Sequence, residues 1–250
     1  MTKMTSIGKV MKMGRLFPDD DRLLITPHEG LRPDRRWVDV AKAVIKGGTD
    51  AILTTPGILM RHHEAVAGKV PFLLQTPLDP KYVDIAVSMD AVAVKWQYFG
   101  PIQNLPWGDV NRFAMKCEEA GMPFLCEPVP MDKPRNEGGK NIDDPDVILG
   151  AALRGVANGA DIIKCNYSGT PESFKKVTSR CPVPVVVLGG PLVPDKQCLE
   201  WVKGSVDGGA VGGAIGRNTT THRDPEKIIR AIQKIIHDDA SVDEALKELK

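Results

Sequence analysis

The chain has no C-x-x-C pair, and its five cysteines, Cys117, Cys126, Cys165, Cys181 and Cys198, are an odd set at irregular spacing. That argues against a disulfide framework and against a zinc cage, and a reducing, cytoplasmic setting is the expectation. No apolar run approaches the roughly 20 residues of a membrane span. Residues 1–15 carry scattered lysines without the apolar stretch of a signal peptide, so no membrane association is expected. Neither sign of charge is in excess: 33 Lys and Arg face 32 Asp and Glu, a net charge of +1. Such a chain has no bulk field to draw in nucleic acid, and any anion it binds must be held by a local site. G-x-G-x-x-G follows no predicted strand, and neither a Walker A sequence nor G-x-S-x-G is present, which removes the usual dinucleotide, nucleoside-triphosphate and serine-hydrolase readings. His62-His63-Glu64 looks like a metal fragment. Neighbours on a helix diverge by about 100°, however, so the two imidazoles do not converge on one ion, and no metal or other cofactor is expected. His222 and His237 read as surface residues.

What the 250 residues do contain is an alternation of short apolar runs with amphipathic ones, the pattern of a buried parallel sheet wrapped by helices. Strands are predicted at 23–26, 51–54, 71–75, 91–95, 123–127, 161–164, 183–188 and 210–214. Helices are predicted at 37–45, 56–67, 109–120, 145–157, 171–179, 195–203 and 225–237, with a short, weakly helical connection after the third strand. Pro56, Pro145, Pro171 and Pro225 open four of these helices, where a missing N–H costs nothing. Gly48-Thr-Asp-Ala-Ile52 before the second strand is echoed by Gly159-Ala-Asp-Ile-Ile163 before the sixth, each glycine suited to the left-handed turn that ends a helix. Eight such units predict an α/β fold, a (β/α)8 TIM barrel. It would be a single domain over residues 1–250, with an N-terminal extension over 1–20 and a polar-faced helical tail over 238–250. An open doubly wound sheet is the alternative. After the fifth strand, residues 128–144 read as a long loop carrying Lys133, Arg135, Gly138, Gly139 and Lys140, either a functional lid or a solvated basic excursion.

Barrels of this kind carry their active sites at the carboxyl ends of the strands. Lys164 ends an apolar strand there, and a lysine aimed into the barrel mouth is costly unless paired or neutralised. Desolvation or a neighbouring cation would lower its pKa from about 10.4 towards 7 or 8 and suit it to form a Schiff base with a carbonyl. The alternative is a lysine that snorkels to solvent or pairs with a carboxylate. Lys95 ends another apolar strand two places away, and a second ammonium there would depress the first. The last two strands end in glycine-rich turns, Val187-Leu-Gly189-Gly190-Pro191 and Gly212-Gly-Ala-Ile-Gly216-Arg217-Asn218. Gly189, Gly190 and Gly216 let backbone N–H groups approach a phosphate and Arg217 adds charge, the alternative being tight packing of helices on strand ends.

The segments Gly159-Ala-Asp-Ile-Ile-Lys164-Cys-Asn-Tyr167-Ser-Gly-Thr, Cys181-Pro-Val-Pro-Val-Val-Val-Leu-Gly-Gly190-Pro and Gly212-Gly-Ala-Ile-Gly-Arg217-Asn together resemble the DeoC/FbaB superfamily of class I aldolases. Within it the chain is similar to archaeal-type fructose-bisphosphate aldolases, aminodeoxyheptulosonate synthases and the autoinducer-2 thiolase. The match is strong over residues 158–237 and diffuse before them. The resemblance implies a TIM barrel, Lys164 as the Schiff-base lysine, a sugar phosphate on Gly189, Gly190, Gly216 and Arg217, and a homo-oligomer. Two departures stand out. Thr26-Pro27-His28-Glu29-Gly30 replaces the Asp-His-Gly usual in the family, and Glu127-Pro-Val129-Pro130 puts Val129 where a tyrosine acid/base is usual. Lys95 stands where a small residue is common. Proton transfer is therefore expected to have moved to some of Lys95, Glu127, His28 and Tyr98, with Glu127 either a general base or a partner of Lys95. The function expected is an aldolase-type lyase or C–C bond-forming synthase acting on a phosphorylated ketone or aldehyde other than fructose bisphosphate. The rivals are a sugar-phosphate-binding barrel without catalysis and an isomerase with no covalent intermediate.

Overall fold

The computed structural model describes residues 6–250. Helix α1 (Ile7–Leu16) leads into β1 (Leu23–Pro27), α2 (Trp37–Gly47), β2 (Ala51–Thr54), α3 (Pro56–His62), β3 (Phe72–Gln75), α4 (Lys81–Ser88) and β4 (Ala93–Gly100). The series continues with α5 (Trp107–Glu119), β5 (Phe124–Pro130), α6 (Pro145–Ala157), β6 (Ile162–Cys165), α7 (Pro171–Thr178), β7 (Val185–Leu188), α8 (Asp195–Asp207) and β8 (Gly212–Ala214). Short α9 (Arg217–Thr220), α10 (Pro225–His237) and α11 (Val242–Ala245) complete it. Every strand is parallel to its neighbours and β8 pairs with β1, so the sheet closes as the expected (β/α)8 barrel. The four helix-opening prolines sit in the first turns of α3, α6, α7 and α10. Gly48 and Gly159 each take φ of 98°, the left-handed turn that their echo predicts.

Two apolar layers follow from the period of two along a strand. Leu23, Ile25, Ala51, Leu53, Leu73, Ala93, Leu125, Ile162, Val186 and Ala214 fill the barrel interior. The alternate residues, among them Leu24, Ile52, Leu74, Val94, Phe124, Cys126, Ile163 and Cys165, face the helices. Helix α1 is not foreseen by the reading of residues 1–20 as an extension, whose first five residues lie outside the described residues. Ser6 caps it, and its last residue, Leu16, joins the interior cluster. Its Lys9 is buried against Asp161 at 2.8 Å and Glu118 at 2.9 Å. The tail over 238–250 is not one helix but α11, started by a Ser241–Glu244 capping box, and a 3-10 turn at Leu246–Leu249. Among the described residues no helix is long and apolar enough to cross a membrane.

The largest departure from the sequence reading is at β4 and β5, which run past the barrel rim as a paired ribbon from Val94↔Phe124 to Gly100↔Pro130. Residues 128–130, expected in a loop, are therefore strand. What remains of that loop is fastened: Met131 bridges Asn141, the Ile142 N–H donates to the Pro130 carbonyl at 2.9 Å, and the Arg135 guanidinium lies 4.4 Å over the Phe99 ring.

Candidate active site

Counting on by two from the interior residues Leu73, Ala93, Leu125 and Ile162 reaches Gln75, Lys95, Glu127 and Lys164, the inward positions at the carboxyl ends of β3 to β6. Lys95, Glu127 and Lys164 meet there. Lys95 Nζ lies 2.6 Å from Glu127 Oε2 and Lys164 Nζ lies 3.0 Å from Glu127 Oε1, so one carboxylate binds both ammonium groups. Lys95 also donates to the Gln97 side-chain oxygen. The cluster is dry but graded: Lys95 is 0% exposed, Glu127 1% and Lys164 6%, which leaves Lys164 as the amine nearest the open mouth.

The electrostatics follow from that burial. Desolvation pushes the Lys95 ammonium below the ordinary lysine value, and the Lys164 charge adds to the effect against the attraction of Glu127. For Glu127, desolvation alone would raise the carboxyl, but the charges and hydrogen bonds of Lys164 and Lys95 outweigh it and hold the group below its ordinary value. A buried carboxylate between two amines, one of them under pressure to deprotonate, can pass a proton from one amine to the other.

Two expected participants stand elsewhere. His28 shares the outward parity of Leu24: its ring stacks on Trp37 at 4.8 Å and its Nε2 lies 3.1 Å from the Trp37 carbonyl oxygen. Burial pushes its pKa down to about 4, so it is a neutral packing residue. Tyr98 shares the parity of Val94 and Trp96, stacks on Trp96, and donates its hydroxyl to the Pro101 carbonyl at 3.0 Å. Both sit on the helix-facing side of their strands, away from Lys95. Glu29, one residue past His28, has the inward parity instead, and its carboxylate acts on the Lys95 charge. Gln97 and Glu29 are the residues that sequence reasoning leaves out of the cluster, and strand parity was the signal that could have found them.

At β7 and β8 the glycine turns adjoin. The Arg217 guanidinium donates to the Gly190 carbonyl at 2.7 Å, and the Asn218 amide donates to the carbonyls of Gly189 at 2.7 Å and Pro191 at 2.8 Å while accepting from Val193 N–H. Arg217 thus clasps the loop it was expected to charge, and Asn218 is a structural pin absent from the sequence reading. Gly189, Gly190, Gly216 and exposed Arg217 lie together at the rim. His62 stacks on Trp37, and among the described residues no group of three His, Cys, Asp or Glu side chains is placed to hold a metal ion.

The parallel eight-stranded barrel thus holds two lysines on one buried carboxylate at the mouth end of its strands. The chain belongs to the DeoC/LacD family of aldolases, whose model matches residues 16–222. It is 32% identical over 266 residues to the 2-amino-3,7-dideoxy-D-threo-hept-6-ulosonate synthase of Halobacterium salinarum, covering 97% of each chain. Its fold is similar to that of an archaeal fructose 1,6-bisphosphate aldolase, with a TM-score of 0.78 and 23% identity over 92% of this chain and 99% of the other. It is also similar to a Schiff-base-forming fructose-1,6-bisphosphate aldolase, with a TM-score of 0.76 and 24% identity over 92% and 100%. By its family the protein is an aldolase.

Proposed function

We propose that Lys164 is the amine that forms the Schiff base, that Glu127 and Lys95 manage its proton, and that the substrate is a phosphorylated ketone or aldehyde held by the turns at Gly189, Gly190, Gly216 and Arg217. The observation that carries this is the shared carboxylate: Lys164 and Lys95 on opposite oxygens of buried Glu127. The names of the relatives, a ketulosonate synthase and fructose-bisphosphate aldolases, support a sugar-phosphate-like carbonyl compound.

In this reading the reaction runs as follows. Glu127 takes a proton from the Lys164 ammonium and hands it to the neutral form of Lys95, the form that burial favours. The neutral Lys164 amine adds to the carbonyl carbon, and the carbonyl oxygen, protonated, leaves as water to give an iminium ion. In cleavage, a base removes the proton of the hydroxyl on the β-carbon, the far atom of the bond to be broken. The electrons of that C–C bond pass into the iminium and an aldehyde departs. The enamine left behind is protonated at carbon and hydrolysed, returning a ketone and the free lysine. In synthesis the same steps run in reverse. The phosphate grip, remote from the reacting bond, fixes the carbonyl against Lys164.

Steady-state assay of Lys164→Arg with phosphorylated ketoses tests the assignment. Activity is expected to fall to background, because guanidinium does not deprotonate to a nucleophile. Turnover surviving in Lys164→Arg would mean a route without a covalent intermediate.

A further inference from the structure

Two buried side-chain oxygens of the barrel mouth, on Glu29 and Gln75, have no hydrogen-bond partner among the described residues. Gln75 is the cross-strand partner of Lys95, two residues on from interior Leu73. Glu29 follows Ile25 and Pro27 at the same parity on β1, and the His28 N–H still bonds the Leu53 carbonyl at 2.7 Å, so strand geometry continues past Pro27. Both side chains are half-buried at the mouth, and in each the Oε1 atom is buried with no hydrogen-bond donor among the described residues. Lys95 does not serve them: its ammonium is turned to Gln97 and Glu127.

An ionised carboxylate only accepts hydrogen bonds, and an amide oxygen likewise accepts. A buried acceptor left without a donor is costly, so the ligand that completes this wall must bring donors. Carbonyl and phosphate oxygens do not qualify, whereas hydroxyl groups do. We infer that Glu29 and Gln75 are specificity-determining residues that receive substrate hydroxyls next to the reacting carbonyl, so that the site selects a hydroxylated carbonyl phosphate over its deoxy analogue. The inference rests on the Schiff-base reading of Lys164. Its physical basis is that a site built to bond a hydroxyl rejects the analogue lacking it, because the site's own acceptors are then left unpaired.

Borohydride trapping with two probes, dihydroxyacetone phosphate and hydroxyacetone phosphate, separates the two levels of the argument. They differ by the one hydroxyl. The wild-type protein is expected to be half-saturated by dihydroxyacetone phosphate at a concentration about tenfold or more below that needed for hydroxyacetone phosphate, the order expected for one hydrogen bond to a charged acceptor. Glu29→Gln, which keeps the shape, and Gln75→Leu should each shrink that ratio severalfold towards one. A merely structural role would change both probes alike and leave the ratio standing. A wild-type ratio near one, or a ratio that neither variant alters, overturns the inference while leaving the Schiff base in place. If neither probe gives an adduct with the wild type, this inference is overturned, and the Schiff-base reading falls as well when no other phosphorylated carbonyl that the protein binds gives one.

Discussion

Glu127 is one carboxylate facing two ammonium groups, so each member of the trio has its own deletion phenotype. Glu127→Gln removes the proton carrier and leaves two amines without a counter-charge. Single-turnover imine formation should slow by about 10²–10⁴-fold, the usual worth of a positioned acid/base group. An unchanged rate would leave Glu127 a structural partner of Lys95 alone. Imine formation in the wild type should rise with pH as the trio gives up a proton. Its midpoint should lie below the ordinary lysine range, because burial pushes Lys95 down. In Lys95→Met that midpoint should move, since the acceptor of the proton is gone, and a midpoint that stays put contradicts the role given to Lys95. Lys164, Lys95 and Glu127 are legible in the sequence because each is a charged residue that interrupts an apolar strand at its inward position. His28 and Tyr98 were misread because nearness to a strand end was weighed without parity. Thr26 and Leu24, or Trp96 and Val94, already set those side chains on the helix-facing side.

Among the elements, β8 and α10 carry the sharpest consequences. Gly212 takes φ of 153° where β8 closes on β1, and a Cβ built there would collide with the Leu23 carbonyl oxygen. Gly212→Ala should therefore weaken barrel closure by about 3 kcal/mol or more, read as a fall in the urea midpoint. The last residue of α10, His237, reads from sequence as a surface histidine. In the structure its Nδ1 lies 2.7 Å from Asp20 Oδ2 and its Nε2 3.0 Å from Asp50 Oδ2, an arrangement complete only when both ring nitrogens carry protons. Burial opposes that charge, but the hydrogen bonds and charges of Asp50 and Asp20 prevail and raise its pKa above 6.5. A raised folded pKa means that the stabilisation is fully present below the unfolded value and is lost as pH climbs through the folded one. The stability gap between wild type and His237→Gln should accordingly be wide at pH 6 and close towards pH 9. A gap independent of pH would contradict the bridge. The strands themselves were legible from their apolar runs, whereas the ribbon extension of β4 and β5 was hidden by Pro128 and Pro130, residues that ordinarily signal a loop.

At the scale of the whole molecule, the barrel has a floor as well as a mouth. Leu16 at the end of α1 is 1% exposed among the interior residues, and buried Lys9 ties the same helix to Asp161 and Glu118. Leu16→Ala should cost about 2–5 kcal/mol in denaturant unfolding, the range for a core leucine. A change below about 0.5 kcal/mol would show that α1 is dispensable. The eightfold alternation revealed the barrel because each strand–helix unit repeats the same burial problem. Helix α1 escaped because it belongs to no unit and its ion pairs reach residues 75 or more positions away, Arg15 to Asp90 and Lys9 to Asp161. The account as a whole turns on which amine meets the substrate. The most direct test is borohydride reduction of the intact protein with a phosphorylated ketone, followed by mass determination of the whole chain and of its peptides. One ligand-sized addition per chain, carried by the peptide containing Lys164, is the predicted result. An addition on Lys95, or none with any phosphorylated carbonyl that the protein binds, would contradict it.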